Sequence, residues 1–124
     1  MTLDPREPII RTAPRMSDLN LNGHIFGGWV LSQMDIAGGV VASRRAKNNV
    51  ATVAIEGMQF HNPIMVGDLI TCYAEVVKTG RTSIHTKIEV FADRRGEDDK
   101  IQVTEGIFIF VSLDDTGRPK PLED

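Results

Sequence analysis

The sequence predicts an α+β domain in which one long helix packs against a single antiparallel sheet. Two observations support this fold class. Apolar residues recur at helical spacing from Gly27 or Gly28 to about Ala46, and the period changes to two in the segments that follow. Short turns separate those segments, which favours antiparallel neighbours. Because one helix can cover only one face of one sheet, the predicted architecture has two layers.

The amino-terminal quarter is predicted to be irregular apart from one short strand. Residues 9–12 have strand-like side chains, whereas residues 14–24 are rich in Pro, Ser, Asp, Asn and Gly and are predicted to form a loop. The long helix follows and ends at residues 48–49. Glycine is costly inside a helix, at about 1 kcal/mol relative to alanine, so its use indicates close approach to the helix backbone. The helix carries four such glycines in or at its ends: Gly27, Gly28, Gly38 and Gly39.

Four strands are predicted after the helix. Three of them show alternating side chains, and the last is apolar on both faces at its centre. Residues 114–124 are rich in charge and contain two prolines, so they are expected to form a flexible tail on a single domain that spans residues 1–124. The long strands leave edges that favour self-association. The predicted strands are Thr52–Phe60, Ile70–Val77, Ser83–Val90 and Ile101–Leu113.

The bulk composition predicts one soluble, cytoplasmic domain. The chain has 124 residues, is 41% hydrophobic and 25% charged, and carries a net charge of −3, which disfavours a general nucleic-acid binder. A single cysteine, Cys72, forms no internal disulfide and is expected in the core. No signal peptide and no membrane-spanning run of about 18 apolar residues is expected. Basic groups at residues 44–47, Arg81 and residues 94–95 are local phosphate candidates or ordinary solvated surface.

The segment from Asn22 to Asp35 carries the strongest functional signal. A helix that begins with glycines offers free N–H donors to a carbonyl oxygen, and Asp35 lies two turns further on. Acyl transfer needs such donors together with a base. The structural alternatives are close helix packing for the glycines and an ordinary helix acid for Asp35. On a helical wheel, Asp35 shares one small apolar face with Gly28, Leu31, Gly39, Ala42 and Ala46.

Several segments together resemble one known family. The chain is similar, over about residues 9–118, to the hot-dog-fold acyl-CoA thioesterases of the YciA type. The stretch that opens the helix is the most specific part of this resemblance. The segments that carry it are Asn22–Trp29, Ser32–Asp35, Val53–Phe60, Pro63, Val66–Asp68, Gly80–Ser83 and Phe110–Asp114.

The resemblance implies a fold, a reaction and an assembly. It implies a long helix wrapped by an antiparallel sheet, and two protomers that join their sheets with active sites at the dimer interface. Trimers of dimers, and therefore homohexamers, are expected. The implied reaction is hydrolysis of acyl-CoA to a free acid and CoA, with no metal and no cofactor besides the CoA of the substrate. No nucleic acid and no membrane insertion is expected.

The resemblance also implies roles for individual residues. Asp35 takes the position of the catalytic carboxylate, either as a general base or as a nucleophile. The helix start at Gly27 and Gly28 takes the position that polarises the thioester carbonyl, from the neighbouring protomer. The turn of Gly80, Arg81, Thr82 and Ser83 resembles the segment that meets the CoA moiety, and Asn22 and His24 are expected near the substrate.

His24 departs from the family pattern. YciA-type proteins usually carry Asp at this position and related hot-dog thioesterases often carry Asn, so the polar surroundings of the thioester and the pH profile are expected to differ. His61 and His85 are expected to be ordinary loop and strand residues. Three histidines this dispersed do not have metal-ligand spacing.

Two other functions remain open from the sequence. A hot-dog enoyl-CoA hydratase or dehydratase would need an acid/base pair, which His24 and Asp35 offer. A non-catalytic acyl-CoA-binding protein would bind without turnover. Release of free thiol from a saturated acyl-CoA distinguishes the thioesterase from both.

Overall fold

The computed structural model describes residues 6–123, so residues 1–5 and 124 of the predicted domain lie outside the described residues. The predicted order of elements is confirmed, with a short 3-10 helix at Met16–Asp18 inside the predicted amino-terminal loop. Strands β2, β3 and β4 extend one to three residues beyond one or both predicted ends, whereas β5 ends one residue earlier than predicted. The elements are β1 Ile10–Thr12, α1 Gly27–Ala46, β2 Val50–Phe60, β3 Leu69–Thr79, β4 Ser83–Asp93 and β5 Ile101–Ser112.

The five strands form one antiparallel sheet in the order β1-β3-β4-β5-β2. The side chains of β4 alternate strictly between buried and half-buried positions, as expected for a strand with one face against a helix. The helix packs against β3, β4, β2 and β5. The predicted two-layer fold, with one helix on one sheet, is therefore confirmed.

The core lies between α1 and the inner face of the sheet. Met34 and Ala37 are fully buried against it, together with Ile88 and Phe110 of the sheet. A β-carbon at Gly38 would lie 2.8 Å from Ile88 Cδ1 and 3.0 Å from the Phe110 ring, so glycine lets the helix approach the sheet. The close approach predicted from the helix glycines is thus confirmed at Gly38. The helix ends after Ala46, where Lys47 adopts a left-handed conformation with φ 61°.

The β2 strand lies at one edge of the sheet and is irregular. Its pairing with β5 shifts register twice, and Gly57 adopts a φ of +62°, which glycine accommodates without strain. Large apolar side chains nevertheless remain exposed along it, with Val53 at 59%, Ile55 at 43% and Phe60 at 61%. An exposed apolar edge strand of this length is a surface that pairs readily with another strand.

The segment after β5 folds back on the sheet. The Leu122 N–H donates to the carbonyl of Arg81 at 2.8 Å, and the Lys120 N–H donates to the carbonyl of Ser112 at 2.8 Å. The Asp114 carboxylate closes the intervening turn, and its hydrogen bond from the Thr116 hydroxyl lowers the pKa of Asp114. The flexibility predicted for this tail stays a prediction, but residues 114–123 do contact the domain.

A buried ion pair holds the loop between β2 and β3. The Arg94 guanidinium donates to both carboxylate oxygens of Asp68, at 3.0 and 2.9 Å, and to the carbonyl of Pro63 at 3.0 Å. The side chain of Asp68 is only 2% exposed and also accepts from the Met65 N–H. This hydrogen bonding raises the pKa of Arg94. The Asp of the Val66–Asp68 segment therefore has a structural role.

Replacing Asp68 with Asn is expected to lower the free energy of unfolding by about 2–4 kcal/mol, because the neutral amide leaves the Arg94 charge without its partner. Urea denaturation at a fixed protomer concentration measures this loss. Asp93→Asn is the matched control, since its oxygen lies 3.9 Å from Arg11 in a more exposed pair. A loss below about 1 kcal/mol is expected there. Equal losses in the two variants would contradict the assignment.

Candidate active site

Asp35 lies on the exposed side of α1, next to the start of β2. The Thr52 hydroxyl donates a hydrogen bond to Asp35 Oδ1 at 2.5 Å, and both residues are exposed. One carboxylate oxygen is thereby fixed, while Oδ2 has no partner within residues 6–123. The sequence did not indicate Thr52, because it lies 17 residues from Asp35 and the contact depends on how β2 packs beside α1.

The small-residue face predicted on the helical wheel is only partly a surface. Gly28 and Asp35 are exposed, whereas Ala42 and Ala46 belong to the core. These residues do share one face of α1, but the last two turns of that face are covered, because Ala42 and Ala46 pack into the core. The accessible part of the face extends from the helix start to about Gly39.

The helix start presents unpaired donors. Phe26 precedes the helix in an extended conformation and makes no side-chain cap, and the Trp29 N–H donates back to its carbonyl at 3.1 Å. The N–H groups of Gly27 and Gly28 have no acceptor within residues 6–123, as is usual for the first turn of a helix. A β-carbon at Gly27 would meet nothing within 4 Å, and one at Gly28 would meet only the Phe26 ring. Packing within the chain therefore hardly requires glycine at these two positions. The absence of side chains on Gly27 and Gly28 leaves the N–H groups of the helix start accessible to a bound molecule.

The loop before the helix is organised by an asparagine that the sequence reasoning did not single out. Asn20 Oδ1 accepts from the N–H groups of Asn22 and His24, at 2.9 and 3.1 Å, and the Asn20 N–H donates to the His24 carbonyl. Gly23 supplies a φ of +79° at the tip. Asn22 is exposed and His24 is half-buried, and they precede the first helical residue, Gly27, by five and three residues. The sequence Asn-x-Asn-Gly is typical of turns in which an Asn side chain accepts hydrogen bonds from the following backbone, and this pattern could have identified Asn20.

The turn between β3 and β4 lies at one end of the sheet. The Gly80 N–H donates to the Ser83 carbonyl at 2.9 Å, and the Thr82 carbonyl accepts from Ser112. The Arg81 side chain is exposed and makes no ion pair within the described residues. Through β5, Ser83 is in register with Ala51, the neighbour of Thr52. The turn is therefore two strand spacings, roughly 10 Å, from the part of β2 that contacts Asp35.

A single chain does not bring these groups to one point. Gly28 and Asp35 are seven residues apart on a straight helix, which separates them by about 10 Å along its axis. The Ile25 N–H donates to the Ile64 carbonyl, so the helix start lies at the sheet end where β2 finishes, away from the turn at Gly80–Ser83. Asp35, the helix start and the turn thus form three separate groups on one protomer.

The remaining candidates have structural surroundings. His61 Nε2 lies 2.9 Å from Glu105 Oε2 on the outer part of the sheet, and His85 is half-buried on β4. Of the basic groups considered for phosphates, Arg94 is engaged by Asp68, and Arg45 donates to the carbonyl of Glu123. No cluster of three metal-ligating side chains occurs in residues 6–123. No helix in that range is long and apolar enough to cross a membrane.

Cys72 is fully buried in the core, as predicted, and burial raises the pKa of its thiol from 9.0 to about 12. We expect the native protein to show no fast reaction with a thiol reagent at pH 8 and one thiol per chain after denaturation. Because the unfolded thiol ionises near pH 9 and the folded one near 12, stability is lost as pH rises through that window. Between pH 8 and 10 the loss is about 1.4 kcal/mol.

Urea denaturation at pH 8 and pH 10 measures this loss, and Cys72→Ala serves as the control because it lacks the thiol. The wild-type protein is expected to lose more stability than the variant over this interval. Identical pH dependence in the two proteins would show that the thiol contributes nothing.

The fold, together with an open helix start and an exposed carboxylate two turns further along the same helix, defines a class of protein. The family model of the thioesterase superfamily matches residues 22–98, which is more than half of the chain. This chain therefore belongs to the thioesterase superfamily, and its helix wrapped by one antiparallel sheet is the hot-dog fold expected from the sequence.

Close relatives narrow the membership. The acyl-CoA thioester hydrolase YciA of Salmonella typhimurium is 44% identical over 119 residues, which cover 94% of this chain and 90% of that protein. The Escherichia coli YciA is 41% identical over 92% and 89% of the two chains. Within the superfamily, the chain thus belongs to the family of the YciA acyl-CoA thioester hydrolases.

Solved structures agree with this membership. The hexameric thioesterase from Yersinia pestis superposes with a TM-score of 0.91 at 41% identity, covering 99% of this chain and all of that one. The hexameric hot-dog thioesterase of Campylobacter jejuni superposes with a TM-score of 0.90 at 37% identity, covering 98% and 93%.

Proposed function

We propose that this chain hydrolyses acyl-CoA thioesters with Asp35 as the reacting carboxylate. The observation that carries the proposal is the exposed Asp35 side chain, held through one oxygen by Thr52 and free at the other. A carboxylate fixed through Oδ1 leaves Oδ2 available to a water or a thioester carbon. Membership of the acyl-CoA thioester hydrolase family supports the substrate class.

Two routes are chemically consistent with this carboxylate. As a general base, Asp35 takes a proton from water while the water oxygen attacks the thioester carbonyl, and the tetrahedral intermediate expels CoA as a thiolate that is then protonated. As a nucleophile, Asp35 attacks the same carbon, the C–S bond breaks, and CoA leaves as a thiolate that is then protonated. Water hydrolyses the resulting mixed anhydride and regenerates the Asp35 carboxylate. Both routes produce a free acid and CoA, and neither needs a metal or a further cofactor.

The developing negative charge on the carbonyl oxygen needs donors, and we assign these to the N–H groups of Gly27 and Gly28. Their lack of acceptors and the positive end of the helix dipole support the assignment. The separation of about 10 Å along α1 means that one chain cannot apply both Gly28 and Asp35 to one thioester. We therefore propose that each site combines Asp35 of one protomer with the helix start of its partner.

The edge strand supports this two-subunit arrangement. The edge strand β2 carries exposed Val53 and Ile55, and Ile36 of α1, the residue after Asp35, is also 54% exposed. Pairing of two β2 edges would cover this apolar surface and join the sheets of two protomers. Similar solved structures are described as hexameric, so we propose that three such dimers associate.

The CoA moiety is proposed to lie along the Gly80–Ser83 turn. Its exposed Arg81 is available for a phosphate, and the backbone of the turn is held by hydrogen bonds from Leu122 and Ser112. Asn22 and His24 are proposed to contact the substrate near the helix start. We propose a cytoplasmic location, with which the free, buried thiol of Cys72 is compatible.

A thiol-release assay over saturated acyl-CoAs of different chain length tests the proposed reaction. Release of one thiol per molecule of acid is the expected result, and an enoyl-CoA supplied in parallel would be hydrated only by a hydratase. Saturable binding without thiol release, at high protein concentration, would overturn the proposed hydrolysis. The buried Cys72 keeps the protein's own thiol out of the readout.

A further inference from the structure

A cationic cavity lies at the β1 edge of the sheet, on the opposite side from β2. Its volume is about 660 Å³, within the usual range for small-molecule sites. Only Asp93 and Glu97 are acidic among its lining residues, although acids outnumber bases in the whole chain. Five of the chain's 14 basic residues line it: Arg6, Arg11, Arg94, Arg95 and Lys100.

The local charge is only partly neutralised. Arg94 is paired with Asp68, and Arg6 lies 2.7 Å from Glu89. The Lys100 ammonium, by contrast, donates to the neutral Tyr73 hydroxyl at 2.6 Å and has no carboxylate within 4 Å in the described residues. Arg95 is exposed and likewise makes no ion pair in that range. An anion entering the cavity would therefore meet two cations that no acid already occupies.

Packed aromatic side chains hold part of this cationic cluster in place. Tyr73 is buried and packs edge-on against Phe91, with ring centroids 5.8 Å apart, and the Arg6 guanidinium lies 4.2 Å from the Tyr73 centroid. The pairing of Arg94 with Asp68 fixes the start of the loop that carries Arg95. The Lys100 ammonium is held by its hydrogen bond to Tyr73, so it needs little ordering when a ligand binds, whereas the exposed Arg95 side chain is ordered on binding.

We propose that this cavity binds a phosphate-bearing small molecule of nucleotide size, with Lys100 and Arg95 as its principal contacts. Charge-assisted hydrogen bonds to phosphate are the strong contacts available to such side chains. The lining residues come from the segment around β1, from Tyr73 of β3, and from the end of β4 with the loop that follows it. None of them lies on α1 or β2, so the cavity is separate from the Asp35 carboxylate of the same chain. Its ligand is either a free nucleotide or the nucleotide end of a CoA molecule.

Calorimetric titration with ADP, with adenosine 3′,5′-bisphosphate and with CoA tests the proposal on the full chain. Binding is expected to weaken about tenfold in Lys100→Met and in Arg95→Gln, and more in the double variant. Arg44→Gln, which removes an exposed cation elsewhere, is the matched control and should leave binding unchanged. Raising the salt concentration should weaken binding in the wild type.

The outcomes separate the ligand sources. Binding of ADP together with the bisphosphate indicates a free nucleotide, whereas binding restricted to the bisphosphate and CoA indicates the nucleotide end of CoA. CoA is titrated in Arg81→Gln as well, so that binding at the proposed substrate turn is subtracted. Equal affinity in wild type, Lys100→Met and Arg95→Gln, or no binding of any probe at millimolar concentration, would overturn the proposal. Neither result affects the proposed hydrolysis, because the readout is binding and not turnover.

Discussion

Asp35→Asn is expected to lower kcat for thioester hydrolysis by about 10²- to 10⁴-fold. The amide can neither take a proton from water nor form an anhydride, but it keeps the size of the side chain and an oxygen that accepts from Thr52. Folding, assembly and KM are therefore expected to change little. Initial rates of thiol release, with thermal unfolding and sedimentation as checks on the variant, provide the measurement.

The matched variants sharpen this test. Thr52→Val keeps the shape of the threonine and removes only the donor to Asp35, so a smaller loss of about tenfold is expected. Asp98→Asn removes an exposed acid of the loop between β4 and β5 and should leave turnover unchanged. Full turnover by Asp35→Asn would exclude this carboxylate as base and as nucleophile.

The second large effect is expected from Gly28→Pro, which removes one N–H donor from the first turn of the helix, where proline is tolerated. A loss of about 10²- to 10³-fold in kcat is expected. Gly28→Ala is the control that keeps the N–H, with only the Phe26 ring to displace.

Mixing the two inactive variants tests whether two chains share each site. If Asp35 of one protomer works with Gly28 of its partner, a heterodimer of Asp35→Asn and Gly28→Pro contains one intact site of two. Random reassociation of equal amounts makes half of the dimers mixed, so about a quarter of wild-type activity should return. No recovery after verified subunit exchange would place both groups within one chain.

Much of the fold follows from the sequence because it depends on local pattern. The bounds of α1 were predictable since apolar spacing and flanking turn residues agree, and Gly38 marked a close approach that Ile88 and Phe110 confirm. The helical wheel gives the position of Ala42 and Ala46 around α1 but not their burial, because it cannot tell which turns of a helix a neighbouring element covers. What lies beside a helix face is a property of the packed fold.

The candidate site was predictable only in its residue types. Asp35 and the glycine pair stand out in one segment, but Thr52 became visible only when β2 was seen to cross α1. Arg94 illustrates the opposite case. It is one of several arginines with similar sequence surroundings, and only the bidentate contact with Asp68 identifies it as structural.

The contact between Thr52 and Asp35 has a consequence for how the protein behaves on dilution. Thr52 belongs to the edge strand, so the backbone that carries its hydroxyl is also the backbone free to pair with another copy. Any loosening of that edge would let the hydroxyl drift from the carboxylate. On dilution, specific activity should therefore decrease more steeply than the fraction of dimers does. Activities of this protein are comparable only when the protomer concentration is stated with them.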